Sequence, residues 1–451
     1  MKKTIVLFAA VVLTALSAYA QEETPAHFKL YGFIRNYTIV DTREVNAGTV
    51  DLYFYMPKNS SLSADGTDMN AGVNWRSLSL TTRLGLDVSG YQFGKTKVGG
   101  KVEADFYSLN GTGSAQTIAQ LRLRQAFMAL SWDLSETSKL SLTAGQAWHP
   151  MAADMPHMTN LETGAPFNPF NRSPQMRLDY TLGGWTFTGG MLYLNHYLPL
   201  DAEAGGKSVN PFKYGFPEAY LGISWKTGPV LARVGVDVLN TKPIRSYKNT
   251  TTESSPLLDG DGNSVTVDGK PQYVKTEKTV TVGKATGIMT AVSPFVFFQY
   301  THGLFQLRAK SILAQSCEHL NLLSGYGISA IKDGGVYEYT PMQTSASFVS
   351  FQYGKKYQVM MMAGYMKQLG TTKDLVDPTQ LLINTAADTK IQQAVRLTPT
   401  FALNLGKFTV SFEYDMTAAQ FGEGDRNLRG MFSQYHWILN HRFINMVKFN
   451  F

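Results

Sequence analysis

Apolar and polar residues alternate one by one along much of this chain. In KFTVSFEYD (residues 407–415), Phe408, Val410, Phe412 and Tyr414 fall on one face, and Lys407, Thr409, Ser411, Glu413 and Asp415 on the other. In KVGGKVEADFY (97–107), Val98, Val102, Ala104 and Phe106 oppose Lys97, Lys101, Glu103 and Asp105. SLSLTTRLGLDV (77–88) sets Leu78, Leu80, Leu84, Leu86 and Val88 against Ser77, Ser79, Arg83 and Asp87. FQLRAKSIL (305–313) places Gln306, Arg308 and Lys310 opposite Phe305, Leu307 and Ala309. A period of two predicts β-strands. Strands in soluble sandwiches average five or six residues. Segments of about ten, apolar on one face, suit strands tilted through a bilayer with lipid on one side and water on the other.

About sixteen such segments can be marked: 28–40, 76–88, 97–107, 120–132, 138–148, 175–182, 185–194, 218–226, 230–239, 286–300, 304–315, 344–353, 357–367, 391–404, 407–417 and 433–451. The gaps between them alternate short and long. GG (183–184), TGP (227–229), THG (301–303), GKK (354–356) and LG (405–406) are tight, whereas 41–74, 149–174, 195–217, 240–285, 316–343, 368–390 and 418–432 are long. Tight turns at one end and long loops at the other predict an all-β fold, an antiparallel up-and-down transmembrane barrel with short periplasmic turns and long extracellular loops. Closure follows because lipid offers backbone N–H and C=O groups no partner. The last strand must then pair with the first. Tyr107, Trp132, Trp148, Trp185, Trp225, Tyr300 and Tyr353 stand near strand ends, where interfacial girdles would place them.

The first twenty residues have a different character. Lys2 and Lys3 precede an apolar run, and Ala18-Tyr19-Ala20 is a small-x-small cleavage site. Residues 1–20 are expected to be a cleaved signal peptide and 21–451 a single barrel domain in the outer membrane. Without Lys2 and Lys3, 39 basic residues (41 − 2) face 34 acidic ones, a surplus of 5. No basic block concentrates it, so nucleic acid is not an expected partner. The single cysteine, Cys317, excludes an internal disulfide and is expected to be a small buried or loop residue.

With the signal peptide and the strand count, the terminal Val447, Phe449 and Phe451 carry a resemblance to Gram-negative porins. The segment LRLRQAFMALSWDLSETSKLSLTAGQAWHP (121–150) resembles the arginine-bearing fourth strand and AGQxW fifth strand of the trimeric DcaP-like porins. The resemblance implies a homotrimeric, water-filled channel for passive diffusion of small hydrophilic solutes, with the outer-membrane bilayer as surroundings. It also implies that Val447, Phe449 and Phe451 are an assembly signal for the barrel-assembly machinery. The loop after the fifth strand, 149–175, would fold into the barrel and narrow it. Pro150, Pro156, Pro166, Pro169 and Pro174 keep it from continuing a ladder, and Asp154, His157, Glu162 and Arg172 are its charged or titratable residues. An outward fold for this loop stays open. On the strands, Arg35, Arg83, Arg122, Arg124, Arg177, Arg308, Lys310 and Arg396 are expected to line the pore, joined by Arg233. Arginine at lipid mid-depth would cost a few kcal/mol, so the inward face is favoured. Basic rings favour anions. Acidic residues on the same faces (Asp87, Glu103, Asp105, Asp179, Asp237, Glu413 and Asp415) could instead neutralise them.

Other chemistry finds little support. DGDGNSVTVDGK (259–270) has the first calcium-loop spacings, but Ser264 and Lys270 occupy positions that an EF-hand gives to Gly and Glu. His149 and His157 lie eight apart, with no metal-ligand motif. No nucleophile elbow, phosphate loop or dinucleotide fingerprint stands in context. The expectation is a non-enzymatic protein with no cofactor and no metal. A channel for hydrophobic solutes, a structural barrel and an outer-membrane hydrolase are the alternatives.

Overall fold

The structure, a computed structural model, describes residues 25–48, 53–108, 119–160, 163–194, 197–333, 336–383 and 390–451. Glu162 and the expected signal peptide lie outside the described residues.

Sixteen strands form one closed antiparallel sheet. They are β1 (His27–Asp41), β2 (in two pieces, Asn74–Leu78 and Arg83–Phe93), β3 (Thr96–Ser108), β4 (Ala119–Asp133), β5 (Ser138–Trp148), β6 (Arg172–Leu182), β7 (Trp185–Leu192) and β8 (Phe216–Thr227). The second half comprises β9 (Val230–Thr241), β10 (Met289–His302), β11 (Phe305–Gln315), β12 (Val336–Gly354), β13 (Tyr357–Thr371), β14 (Ile391–Leu405), β15 (Phe408–Arg426) and β16 (Phe432–Asn450). Each strand pairs with its sequence neighbours, and β1 closes on β16 from Phe33↔Asn450 to Asp41↔Arg442. At the upper end of that seam, Arg442 forks onto Asp41, Nε to Oδ1 and Nη2 to Oδ2, both at 2.8 Å and both wholly buried. The turn Gly183–Gly184 is a two-residue hairpin, and Gly183 takes φ 56°, a conformation such a turn requires and L side chains resist.

The alternation predicted from sequence appears as alternating exposure. Leu121, Leu221, Val296, Phe412 and Phe443 stand outward, each half or more exposed. Water would not tolerate so wide an apolar belt on a monomer; acyl chains cover it at no cost. Val447, Phe449 and Phe451 belong to this outer face. Gly32 N–H and the Phe451 carbonyl meet at 3.3 Å, so the ladder runs to the final residue.

Two local expectations are corrected. Leu78 and Leu84 do not share a face. Between Phe33↔Arg83 and Tyr37↔Leu78, four residues of β2 (79–82) oppose three of β1 (34–36). This bulge, with Thr81 at φ 137°, shifts the phase by one. Leu78 therefore points inward against Tyr37, Ile39, Ile444 and Met446, and Leu84 points to lipid. Trp148 is not a girdle residue either. Its ring lies inside the barrel, 5.4 Å from the Phe170 ring and under the Arg172 guanidinium at 4.7 Å. Cation–π contact and burial hold it there rather than at the membrane boundary.

Candidate functional site: the barrel lumen

Segment 149–175 contacts strands on several sides of the barrel. Asp154 pairs with Arg233 of β9. Arg308 of β11 donates to the Met155 carbonyl at 2.8 Å. The His157 amide donates to Ser350 Oγ of β12 at 3.1 Å. Arg396 of β14 donates to the Ala165 carbonyl at 2.9 Å. The amides of Thr159 and Asn160 donate to the Glu413 carboxylate of β15 at 2.5 and 3.0 Å. Tyr37 of β1 donates to the Thr159 carbonyl at 3.0 Å. One loop can reach strands spaced around a closed barrel only from within. Its apolar residues Met158, Ala165, Phe167 and Phe170 pack with inward-facing Phe348, Met362, Ala394 and Phe421. Gly364 on β13 makes room: a Cβ there would sit 2.5 Å from Phe167 Cγ. Two further external segments also enter. Phe54–Met56 lies beneath Arg396 and Arg442, whose guanidiniums stand 4.8 and 4.7 Å from the Phe54 ring. Cys317–Ser324 is buried against the inner loop, where the Phe170 amide donates to the Leu320 carbonyl at 2.8 Å.

On the other side of the loop is a cavity of about 440 Å³. Arg35, Arg83, Arg122, Arg124, Arg308 and Lys448 line it, with His157, Trp148 and several uncharged polar residues between them. No Asp or Glu stands among its described lining residues. The acids that pair with three of these cations lie behind them. Arg122 forks onto Asp105 with two 2.9 Å bonds. Arg124 reaches Glu103 at 2.8 Å and Asp105 at 2.7 Å. Arg83 is 3.6 Å from Glu103. Glu103 and Asp105 are 4% and 0% exposed, so their charge is presented to the lumen only through the guanidiniums. A bulge in β4 opposite Glu103/Ala104 brings Arg122, Arg124 and Gln125 together around these acids. Arg35 donates through Nε to Thr81 Oγ1 at 3.2 Å and stacks over Tyr37 at 5.0 Å. Burial, with the Arg308 charge beside it, lowers the His157 pKa to about 4, so this loop residue is neutral at pH 7.

The other basic positions are separate. Lys310 is buried beneath the loop and donates to the Met151 carbonyl and, at 3.0 Å, to Asn168 Oδ1. Arg396 is buried likewise and holds the carbonyls of Tyr55 and Ala165, both at 2.9 Å. Arg177 pairs with Asp179 at 3.1 Å, outside the cavity. Arg172 stacks on Trp148 at the start of β6. Lys448, which alternation at the chain end turns toward the lumen or the periplasmic rim, joins the cavity wall although it was not among the expected pore-lining residues. It alternates inward next to the lipid-facing Val447 and Phe449, which was the available signal.

No family model and no curated protein matches this chain. Solved structures do match it. The outer-membrane channel DcaP of Acinetobacter baumannii aligns over 94% of this chain and 97% of its own, at a TM-score of 0.57 and 16% identity. This chain has the fold of a DcaP-like porin. OmpT, an outer-membrane protein of Vibrio cholerae, aligns over 97% of this chain and 99% of its own at TM-score 0.49 and 12% identity. The anion-selective porin of Comamonas acidovorans aligns over 95% and 100% at 0.49 and 11%. At such identities the match with DcaP concerns the fold.

Proposed function

We propose that this protein is a narrow, non-enzymatic outer-membrane porin through which small hydrophilic anions diffuse passively. The observation that carries the reading is the cavity wall: six cations line it beside the inward loop, and the two acids paired with three of them are buried behind. A surface that presents guanidinium and ammonium groups, in a lumen narrowed by three infolded segments, lowers the energy of a passing anion and raises that of a cation. Small carboxylates suit it, because guanidinium edges bind carboxylate oxygens in pairs. Within the same reading, residues 1–20 export the chain, residues 149–175 form the constriction, and the working form is a homotrimer. The barrel-assembly machinery would recognise Val447, Phe449 and Phe451, which share the outward face of β16.

Reconstitution in planar bilayers tests the reading directly. Purified protein should give discrete conductance steps. In a KCl gradient the reversal potential should have the sign of chloride selectivity. Cation selectivity would overturn the anion assignment, and an absence of steps would overturn the channel itself.

A further inference from the structure

Away from the basic cavity, four ligand-type side chains converge in the barrel wall. His149 follows β5 at the root of the inner loop. Glu218 lies in β8, Asp237 in β9, and His319 in the infolded segment after β11. All four are buried, and one ligand atom from each lies within 4.8 Å of the others. His319 Nε2 is 2.8 Å from Glu218 Oε1, His149 Nε2 is 3.1 Å from the same oxygen, and His149 Nε2 is 3.8 Å from Asp237 Oδ1. A bulge between Phe216 and Ala219 turns Glu218 into the cluster. Glu218 Oε2, both oxygens of Asp237 and His319 Nδ1 have no hydrogen-bond partner among the described residues. A cation bound among these groups would satisfy the three carboxylate oxygens that lack a hydrogen-bond partner.

We propose that His149, Glu218, Asp237 and His319 form a structural site for a divalent transition metal of the zinc class. Two imidazoles with two carboxylates suit zinc better than calcium or magnesium, which prefer oxygen alone. Bonds of about 2.0–2.2 Å in a tetrahedron separate neighbouring ligand atoms by about 3.4 Å, a value within the spread of distances observed here. Four protein ligands leave no open position, so the role is structural. The metal would clamp the root of the inner loop and the Cys317–Ser324 segment to β8 and β9. Loading also has a local consequence. The Met151 amide donates to His149 Nδ1 at 3.2 Å, so the ring proton resides on Nε2. Coordination through Nε2 moves that proton to Nδ1 and requires the Met151 amide to turn away.

The full chain would be refolded in detergent with Zn²⁺ or with a chelator, desalted, and analysed for metal by mass spectrometry. Zinc-refolded protein should retain about one equivalent and unfold at a higher temperature than chelator-refolded protein, whereas a Glu218→Gln/Asp237→Asn double variant should retain less than about a tenth. Zinc below that level in the wild type, or full retention in the variant, would overturn the proposal. Should the variant not refold, cobalt-loaded wild-type protein decides. The strong visible absorption of four-coordinate Co²⁺ is expected, and its absence would overturn the site. Both readouts are independent of conductance, so they stand or fall apart from the porin reading.

Discussion

Arg83→Gln removes one lumen charge with little structural cost. Arg83 lines the cavity and sits 3.6 Å from Glu103, which keeps Arg124 at 2.8 Å and the Tyr31 hydroxyl at 3.0 Å when Arg83 is gone. The buried acid is thus still satisfied, and the barrel should assemble normally. An anion passing about 6 Å from a guanidinium in water gains about 0.7 kcal/mol, and 0.1 M salt screens this to about 0.4 kcal/mol. A cation loses the same amount, so deleting the charge changes the anion-to-cation preference by about 0.8–1.4 kcal/mol, or about four- to tenfold in permeability ratio. Reversal potentials of wild type and variant, measured in the same KCl gradient, read this ratio directly. An unchanged ratio, with conductance steps intact, would refute the view that the cavity cations select the solute.

Four further outcomes are expected. Glu413→Ala removes the acceptor for the Thr159 and Asn160 amides and should free the loop tip, raising single-channel conductance and lowering stability by about 2–4 kcal/mol in thermal unfolding. Arg442→Met leaves Asp41 with Arg76 at 2.6 Å as its remaining ion-pair partner and should cost about 3 kcal/mol at the β1–β16 seam, seen as an earlier loss of heat-resistant mobility on gels. Deleting Phe451 should reduce the amount of protein in the outer membrane while leaving the conductance of surviving channels unchanged; normal membrane levels would count against an assembly role. His157 should add no pH dependence to selectivity between about pH 5 and 8, because it is neutral above about 4 and gains its charge only below that pH, which reversal potentials across that range would check.

The β1–β16 seam and the inward faces of the strands were legible in the sequence, because strand alternation is local. A residue two positions from a lipid-facing one shares its face, so the inward side of Arg35, Arg83, Arg122 and Arg308 could be deduced from their neighbours. The bulges in β2, β4 and β8 were not legible. Each inserts a single residue, which leaves composition and mean spacing unchanged yet reverses every side chain beyond it. That is why Leu78 was assigned to the wrong face and Glu218 attracted no notice.

What the sequence determined by itself is therefore the class of object: an alternating chain with segregated loop lengths, which in a bilayer can satisfy its backbone only by closing into a barrel. Tertiary structure alone decided what fills that barrel. Whether 149–175 turned in or out depended on contacts with strands far away in sequence, from β1 to β15, and Phe54–Met56 and Cys317–Ser324 joined it in the lumen. The acids behind the arginines, and the meeting of His149, Glu218, Asp237 and His319, likewise arise from separate elements brought together by closure. Periodicity records which way a residue faces, but the identity of its neighbour across the lumen exists only once the ring has closed.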